Sequence, residues 1–91
     1  MSVRAVLVVH REPIAAEALA ATLGRYPALL PIGAASCAAE VETYAARVDV
    51  AVVDERLTGS REIASRLRRA GARVVLIGDA TGGADDEGVR V

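Results

Sequence analysis

The stretch VDVAVVDERLTG, residues 48–59, decides the fold of this chain. Its first six residues are apolar apart from Asp49 and are mostly valine, which is typical of a short strand buried on both faces of a parallel sheet. The apolar run stops at Asp54, and a carboxylate at the end of a buried strand is unfavourable unless it is paired or hydrated. The stretch therefore predicts a central strand and a nearby group that compensates Asp54.

Three further stretches have strand character. VRAVLVV (3–9) and ARVVLIG (72–78) share the β-branched, nearly unbroken apolar composition of the first stretch. LLPIGAA (29–35) is weaker, and Pro31 confines it to an edge of the sheet because proline cannot donate a ladder hydrogen bond. After a loop rich in glycine and aspartate, GVRV (88–91) could add a short fifth strand.

Three helices are predicted between the strands. The first spans about 13–24, with a proline at its first position and a glycine at its last. The second spans about 36–47, with Ser36 as its N-cap, and the third spans about 60–70. Residues expected on the inner faces are Ile14, Ala18, Leu19, Thr22 and Leu23, then Ala38, Val41, Tyr44 and Ala45, then Ile63, Leu67 and Ala70.

The alternation of strands with helices requires crossovers between parallel strands. The predicted fold class is α/β, a doubly wound parallel sheet of order 2-1-3-4-5 in a single domain that spans residues 1–91. In such a sheet the ligand crevice lies beyond the carboxyl ends of the strands, where the strand order reverses. The pocket residues expected there are His10, Arg11 and Glu12, Asp54, and Gly78 with Asp79.

Arg11 is the candidate partner of Asp54. A guanidinium can form charge-assisted hydrogen bonds with a carboxylate, and His10 would be a second donor. Failing Asp54, Arg11 would pair with Asp79. The alternative is that Arg11 is a solvated loop residue, since arginine seldom stays buried without a specific acceptor.

Composition excludes several classes of function. The chain has 91 residues, 53% of them hydrophobic, and a net charge of -1, which indicates neither nucleic-acid binding nor membrane attachment. The lone Cys37 cannot form an internal disulfide and is expected to be buried or half-buried, and no metal-ligand spacing surrounds it or His10. Without a secretory signal or a long apolar run, the expected location is the cytoplasm. No cofactor and no metal are expected.

From about Val3 to Ile77 the sequence resembles the receiver domains of bacterial response regulators, especially those that precede a LuxR-like DNA-binding domain. The resemblance rests on the order of a strand, a Pro-led helix, a strand, a helix, and then VVDERLTG and RVVLIG. VVDERLTG stands where the family has its apolar strand, phosphoacceptor aspartate, short loop and glycine. The resemblance thus implies the receiver fold and assigns Asp54 to the phosphoacceptor position.

The rest of the family's site does not carry over. Receivers hold Mg²⁺ with an acidic pair after the first strand, where this chain has His10 and Arg11, and Glu12 is the only acid nearby. Gly78 stands where the family has threonine or serine, and the chain has no lysine to match the one after the fifth strand. The family's fourth and fifth helices are reduced or missing. Without two close carboxylates, Mg²⁺ lacks hard oxygen ligands to offset the charge of phosphoryl transfer.

The resemblance and these losses together favour a pseudo-receiver, the N-terminal part of a transcriptional regulator that acts by protein contact and not as an enzyme. Loss of helices should leave apolar surface of Val3–Val9 and Val50–Val53 open, so a symmetric homodimer is expected there, with Ile14 and Leu19 near its interface. One alternative is a working receiver phosphorylated at Asp54. Another, from the enzyme class, is a small nucleotide- or phosphate-binding α/β protein that uses the glycine-rich segment after the fourth strand, with Gly82 and Gly83, although no helix follows them.

Overall fold

The computed structural model of the chain describes residues 3–78. Strands and helices alternate as β1 Arg4–Val9, α1 Pro13–Leu23, β2 Leu29–Ala35, α2 Ala38–Tyr44, β3 Val50–Asp54, α3 Ser60–Arg69 and β4 Arg73–Ile77. A single 3₁₀ turn, Ala45–Arg47, extends α2. The predicted strand at 88–91 lies outside the described residues. No helix within the described residues has the length and apolar character that crossing a bilayer requires.

The four strands form one parallel sheet in the order β2-β1-β3-β4. The predicted fold class and the order 2-1-3-4 are therefore confirmed. Pro31 lies in the edge strand β2, as its missing N–H demands, and the pairing of β1 with β2 shifts register between Val6 and Leu7. This topology brings the carboxyl ends of β1, β3 and β4 together at one edge of the sheet.

One face of the sheet packs against α2 and α3 and forms the main hydrophobic core. Leu7 and Val53, from the two central strands, are fully buried there against Val41 of α2 and Leu67 of α3. The amphipathic α3 keeps its arginines outside and its apolar residues inside, as the helical spacing predicts. The inward positions predicted for Val41, Ala45, Ile63 and Leu67 are confirmed, whereas Ala38 and Ala70, at the ends of their helices, are exposed.

The opposite face is covered by α1, and here two expectations are wrong. Ile14 is 83% exposed, and Ala18 and Thr22 are exposed as well. Leu19 and Leu23 are half-buried, and the fully buried residue of α1 is Ala16. Because α1 itself carries alanines on nearly every side, the spacing of its apolar residues could not identify the buried face. Val3 to Val9 are expected to expose apolar surface, but Val6 and Val8 are buried on the α1 side and Leu7 and Val9 in the main core, while Val3 alone of these valines is exposed.

The apolar surface that α1 leaves open lies over β3 and β4. The strand register aligns Val8 with Val52 and Val52 with Val75, so these residues share the α1 face of the sheet. Val75 is 39% exposed, and its neighbours on this face are half-buried. We call this surface the open strip; its members are Val50, Val52, Val75 and Ile77.

The start of α2 also differs from the prediction. Its N-cap is Cys37, not Ser36, and no side chain caps the helix at that position. Instead Glu40 Oε1 accepts a hydrogen bond from the main-chain N–H of Ser36 at 2.7 Å. Cys37 is exposed, contrary to expectation, because it lies in the turn at the carboxyl edge of the sheet and not under a helix.

Candidate functional site

Asp54, the last residue of β3, is the most buried ionisable side chain at the carboxyl edge of the sheet. It is only 3% exposed, and its burial is offset by four hydrogen bonds. Arg11 Nη1 donates to Oδ1 at 3.2 Å and to Oδ2 at 3.0 Å. The main-chain N–H groups of Arg11 and Arg56 donate to Oδ2 at 3.3 Å and to Oδ1 at 3.0 Å.

The contact between Arg11 and Asp54 that the sequence predicts is present in the structure. Arg11 follows β1 and Asp54 ends β3, which are adjacent parallel strands, so the topology alone places the two residues side by side. The side chain of Arg11 is 41% exposed, so its charge is screened on the outer side while its inner nitrogen faces the carboxylate. Arg11 is therefore the group that compensates the buried carboxylate of Asp54.

His10 is not the second donor that the sequence predicts. Its Nδ1 accepts a hydrogen bond from the main-chain N–H of Glu12 at 3.0 Å, so that nitrogen carries no proton in this arrangement. Nδ1 also lies 3.6 Å from Asp54 Oδ2, which is too far for a hydrogen bond. Glu12 is the N-cap of α1, and its side chain is exposed.

At the end of β4, Glu55 occupies the space beside Gly78. A Cβ added to Gly78 would collide with Glu55 Oε1. Where the receiver family has a hydroxyl side chain, this chain therefore has a carboxylate from the neighbouring strand end. The pattern of residues did not identify Glu55, although its position directly after Asp54 was the available signal. Asp79 lies outside the described residues.

The loop from β3 to α3 is short and fixed by its own hydrogen bonds. The N–H of Leu57 donates to Asp54 O, and that of Ser60 donates to Leu57 O. Ser60 Oγ donates to Glu55 O at 3.0 Å, and Gly59 adopts a left-handed φ of 80° that favours glycine. This loop holds the N–H of Arg56 against Asp54.

The residues around Asp54 do not fit the Mg²⁺ that the resemblance to receivers implies. Arg11 Nη1 touches both carboxylate oxygens, which is where a cation would have to bind. Within residues 3–78, no group of three carboxylate, histidine or cysteine side chains could hold a metal ion. A hard divalent cation needs several oxygen ligands, and a neighbouring guanidinium repels it.

The structure is similar to two solved receiver domains. The response regulator domain of Thermotoga maritima CheB superposes with a TM-score of 0.73 at 23% identity, over 87% of this chain and 63% of that chain. The signal receiver domain assigned to the response regulator NarL of Mycobacterium tuberculosis superposes with a TM-score of 0.72 at 26% identity, over 86% of this chain and 68% of that chain.

The chain thus spans less than two thirds of the CheB domain. Neither a protein-family model nor a curated protein matches the sequence. In this chain the parallel sheet packs with α1, α2 and α3, and Asp54 ends its third strand. The chain therefore has the flavodoxin-like receiver fold, and it is similar to the receiver domains of these two response regulators.

Proposed function

We propose that this domain is a pseudo-receiver, a regulatory module that acts through protein contacts without phosphoryl transfer to Asp54. The observation that carries the proposal is the contact of Arg11 Nη1 with both oxygens of the Asp54 carboxylate. A fixed cation of the protein stands where a removable metal ion would be needed. In this proposal the domain is not an enzyme and binds no cofactor.

The chemistry of phosphoryl transfer explains why that contact matters. An aspartate that attacks a phosphodonor must present a free oxygen, and metal ions or other cations must offset the charge of the incoming group. Here each oxygen of Asp54 already accepts a hydrogen bond from a main-chain N–H, and both oxygens accept a hydrogen bond from Arg11 Nη1. The Glu55 side chain lies beside Gly78 at the same edge of the sheet.

The output that we propose is self-association through the open strip. The strip continues the apolar surface of α1, whose eleven residues include a single charged side chain, Glu17. We assign the strip to a second copy of this chain because the segment 79–91 is poorly suited to cover it. That segment contains four acidic residues, three glycines and only two large apolar residues, Val89 and Val91.

The likeness to the NarL domain supports a further part of the proposal. We propose that the domain forms the N-terminal part of a cytoplasmic transcriptional regulator, with a DNA-binding domain further along the full-length chain. The domain itself would not bind DNA, since its net charge is -1. Sequencing downstream of Val91 tests this context, and a helix-turn-helix is the expected result.

Incubation with acetyl phosphate and Mg²⁺, followed by intact-protein mass spectrometry, tests the central proposal. We expect no added phosphoryl group, under conditions in which a phosphorylatable receiver domain is fully modified. The variant Asp54→Asn serves as the blank. A stoichiometric added group that is present in the native chain and absent from Asp54→Asn would overturn the proposal in favour of a working receiver.

A further inference from the structure

We infer that His10 is the positioning residue for the Arg11–Asp54 ion pair and that a proton on its Nδ1 loosens that pair. The inference rests on the proposed function, in which the ion pair replaces the metal, and it adds a means of regulation. Three contacts carry it: Glu12 N–H to His10 Nδ1, His10 Nδ1 beside Asp54 Oδ2, and Arg11 Nη1 on the same Oδ2.

The hydrogen bond from Glu12 to His10 folds the loop after β1. It spans two residues and bends the chain so that Arg11, between them, turns both its main-chain N–H and its side chain toward Asp54. The main-chain N–H of His10 donates to Ala35 O at 3.0 Å, which anchors the start of this bend to β2. Since Glu12 is the N-cap of α1, the same bond also fixes where that helix begins.

A proton on Nδ1 changes that atom from a hydrogen-bond acceptor into a donor. An N–H at Nδ1 cannot accept from Glu12, so the bond that folds the loop is lost. The new N–H faces Asp54 Oδ2 at 3.6 Å, and a small rotation of the ring brings it within hydrogen-bonding distance. It then competes with Arg11 Nη1 and Arg11 N–H, which already use that oxygen.

The charged groups near the ring come from β3 and from the loop after β1. Asp54 Oδ2 of β3 lies 3.6 Å from Nδ1, and Arg11 and the exposed Glu12 belong to the same loop as His10. On the β2 side, Ala35 is followed by Ser36 and Cys37. Histidine is the residue type whose charge changes near neutral pH, and the side chain of His10 retains 16% exposure through which a proton can enter.

Nuclear magnetic resonance on the chain tests the inference directly, because His10 is its only histidine and its ring signals need no assignment. At neutral pH we expect the tautomer with the proton on Nε2. As the imidazole titrates, exchange of the Glu12 and Arg11 amide protons, corrected for its intrinsic pH dependence, should accelerate roughly 2- to 10-fold, as expected for loss of one hydrogen bond.

The variant His10→Asn is the matched control. Its Oδ1 can accept the Glu12 N–H in the place of Nδ1 but cannot be protonated, so exchange should stay slow at every pH. His10→Ala removes the acceptor, and exchange should be fast at every pH.

A proton on Nδ1 at neutral pH, an unchanged Glu12 amide through the imidazole titration, or a pH dependence that persists in His10→Asn would each overturn the inference. The phosphorylation test does not depend on these measurements. A modified Asp54 would overturn the proposed function while leaving the exchange results to judge His10.

Discussion

At the residue scale, Asp54 is held by donors from two separate loops. Arg11 N–H and Nη1 come from the loop after β1, and Arg56 N–H comes from the loop after β3. Only Arg11 contributes a full positive charge to these contacts. Because Asp54 is nearly inaccessible to water, removing that charge leaves a buried carboxylate that two main-chain N–H groups alone must stabilise.

We expect Arg11→Ala to lower the free energy of unfolding by about 1 to 3 kcal/mol, the usual cost of leaving a buried polar group with too few partners. Chemical denaturation near neutral pH measures the change. Arg68→Ala, which removes an exposed arginine on α3, is the control and should change stability little. Equal stability of the Arg11→Ala variant and the native chain would mean that the ion pair contributes nothing to folding.

Sequence reasoning identified the Asp54–Arg11 pair because both residues follow buried strands whose ends meet in a parallel sheet. It did not identify the roles of His10 and Glu55. Which atom of an imidazole faces an N–H, and which strand-end side chain fills the space beside Gly78, depend on loop geometry of a few tenths of an ångström. A pattern of residue types carries no information at that scale.

At the element scale, the packing of α2 on β2 depends on a glycine. The ring of Tyr44 lies so close to Gly33 that a Cβ there would overlap it, and the Arg47 guanidinium lies 5.6 Å from the centre of the same ring. Tyr44 is half-buried against the main core. The aromatic ring thus fills the space over β2 that the small side chains of this strand leave.

We expect Gly33→Ala to destabilise the domain by about 1 to 3 kcal/mol, because the added methyl group forces the ring out of place. Gly24→Ala is the matched control. There a Cβ would lie 3.4 Å from its nearest neighbours on an α-helical backbone, so the change should be nearly neutral or slightly stabilising. Thermal unfolding of both variants compares them directly.

Adding Tyr44→Leu to Gly33→Ala tests the cause of that loss. If the overlap with the ring is responsible, the double variant will be less destabilised than the sum of the two single changes. Additive losses would show that Gly33 is required for a reason other than the ring.

Element boundaries followed from local signals where those signals were strong. Pro13, Gly24 and Gly71 bound their helices as predicted, while the weak signal at Ser36 misplaced the N-cap of α2 by one residue. The buried face of α1 was misassigned for a different reason. A helix of mostly alanine has no distinct apolar stripe, so contact with β1 and β2, and not its own sequence, selects the inner face.

At the scale of the whole molecule, the sheet is covered unequally. Two helices pack on one face, where Val74 and Leu76 of β4 remain half-buried, whereas on the other α1 covers β1 and β2 and leaves the open strip over β3 and β4. In the described part of the chain, α1 therefore borders the open strip on one side. A second copy could place its own apolar α1 on this strip, and the twofold symmetry of such a dimer would bury both strips at once.

We expect the chain to be a homodimer at tens of micromolar and Val75→Lys to shift it toward the monomer, because a lysine in the centre of the strip must lose its hydration in the interface. Val75 is exposed on β4, the last strand of the sheet within residues 3–78, so the isolated fold should tolerate the change. Leu30→Lys, at an exposed apolar residue on the opposite edge strand β2, is the control and should leave the dimer intact. Light scattering together with circular dichroism separates loss of association from loss of folding.

A folded, monomeric native chain at this concentration would show that the strip does not drive dimerisation, and residues after Gly78 would then be its cover within one chain.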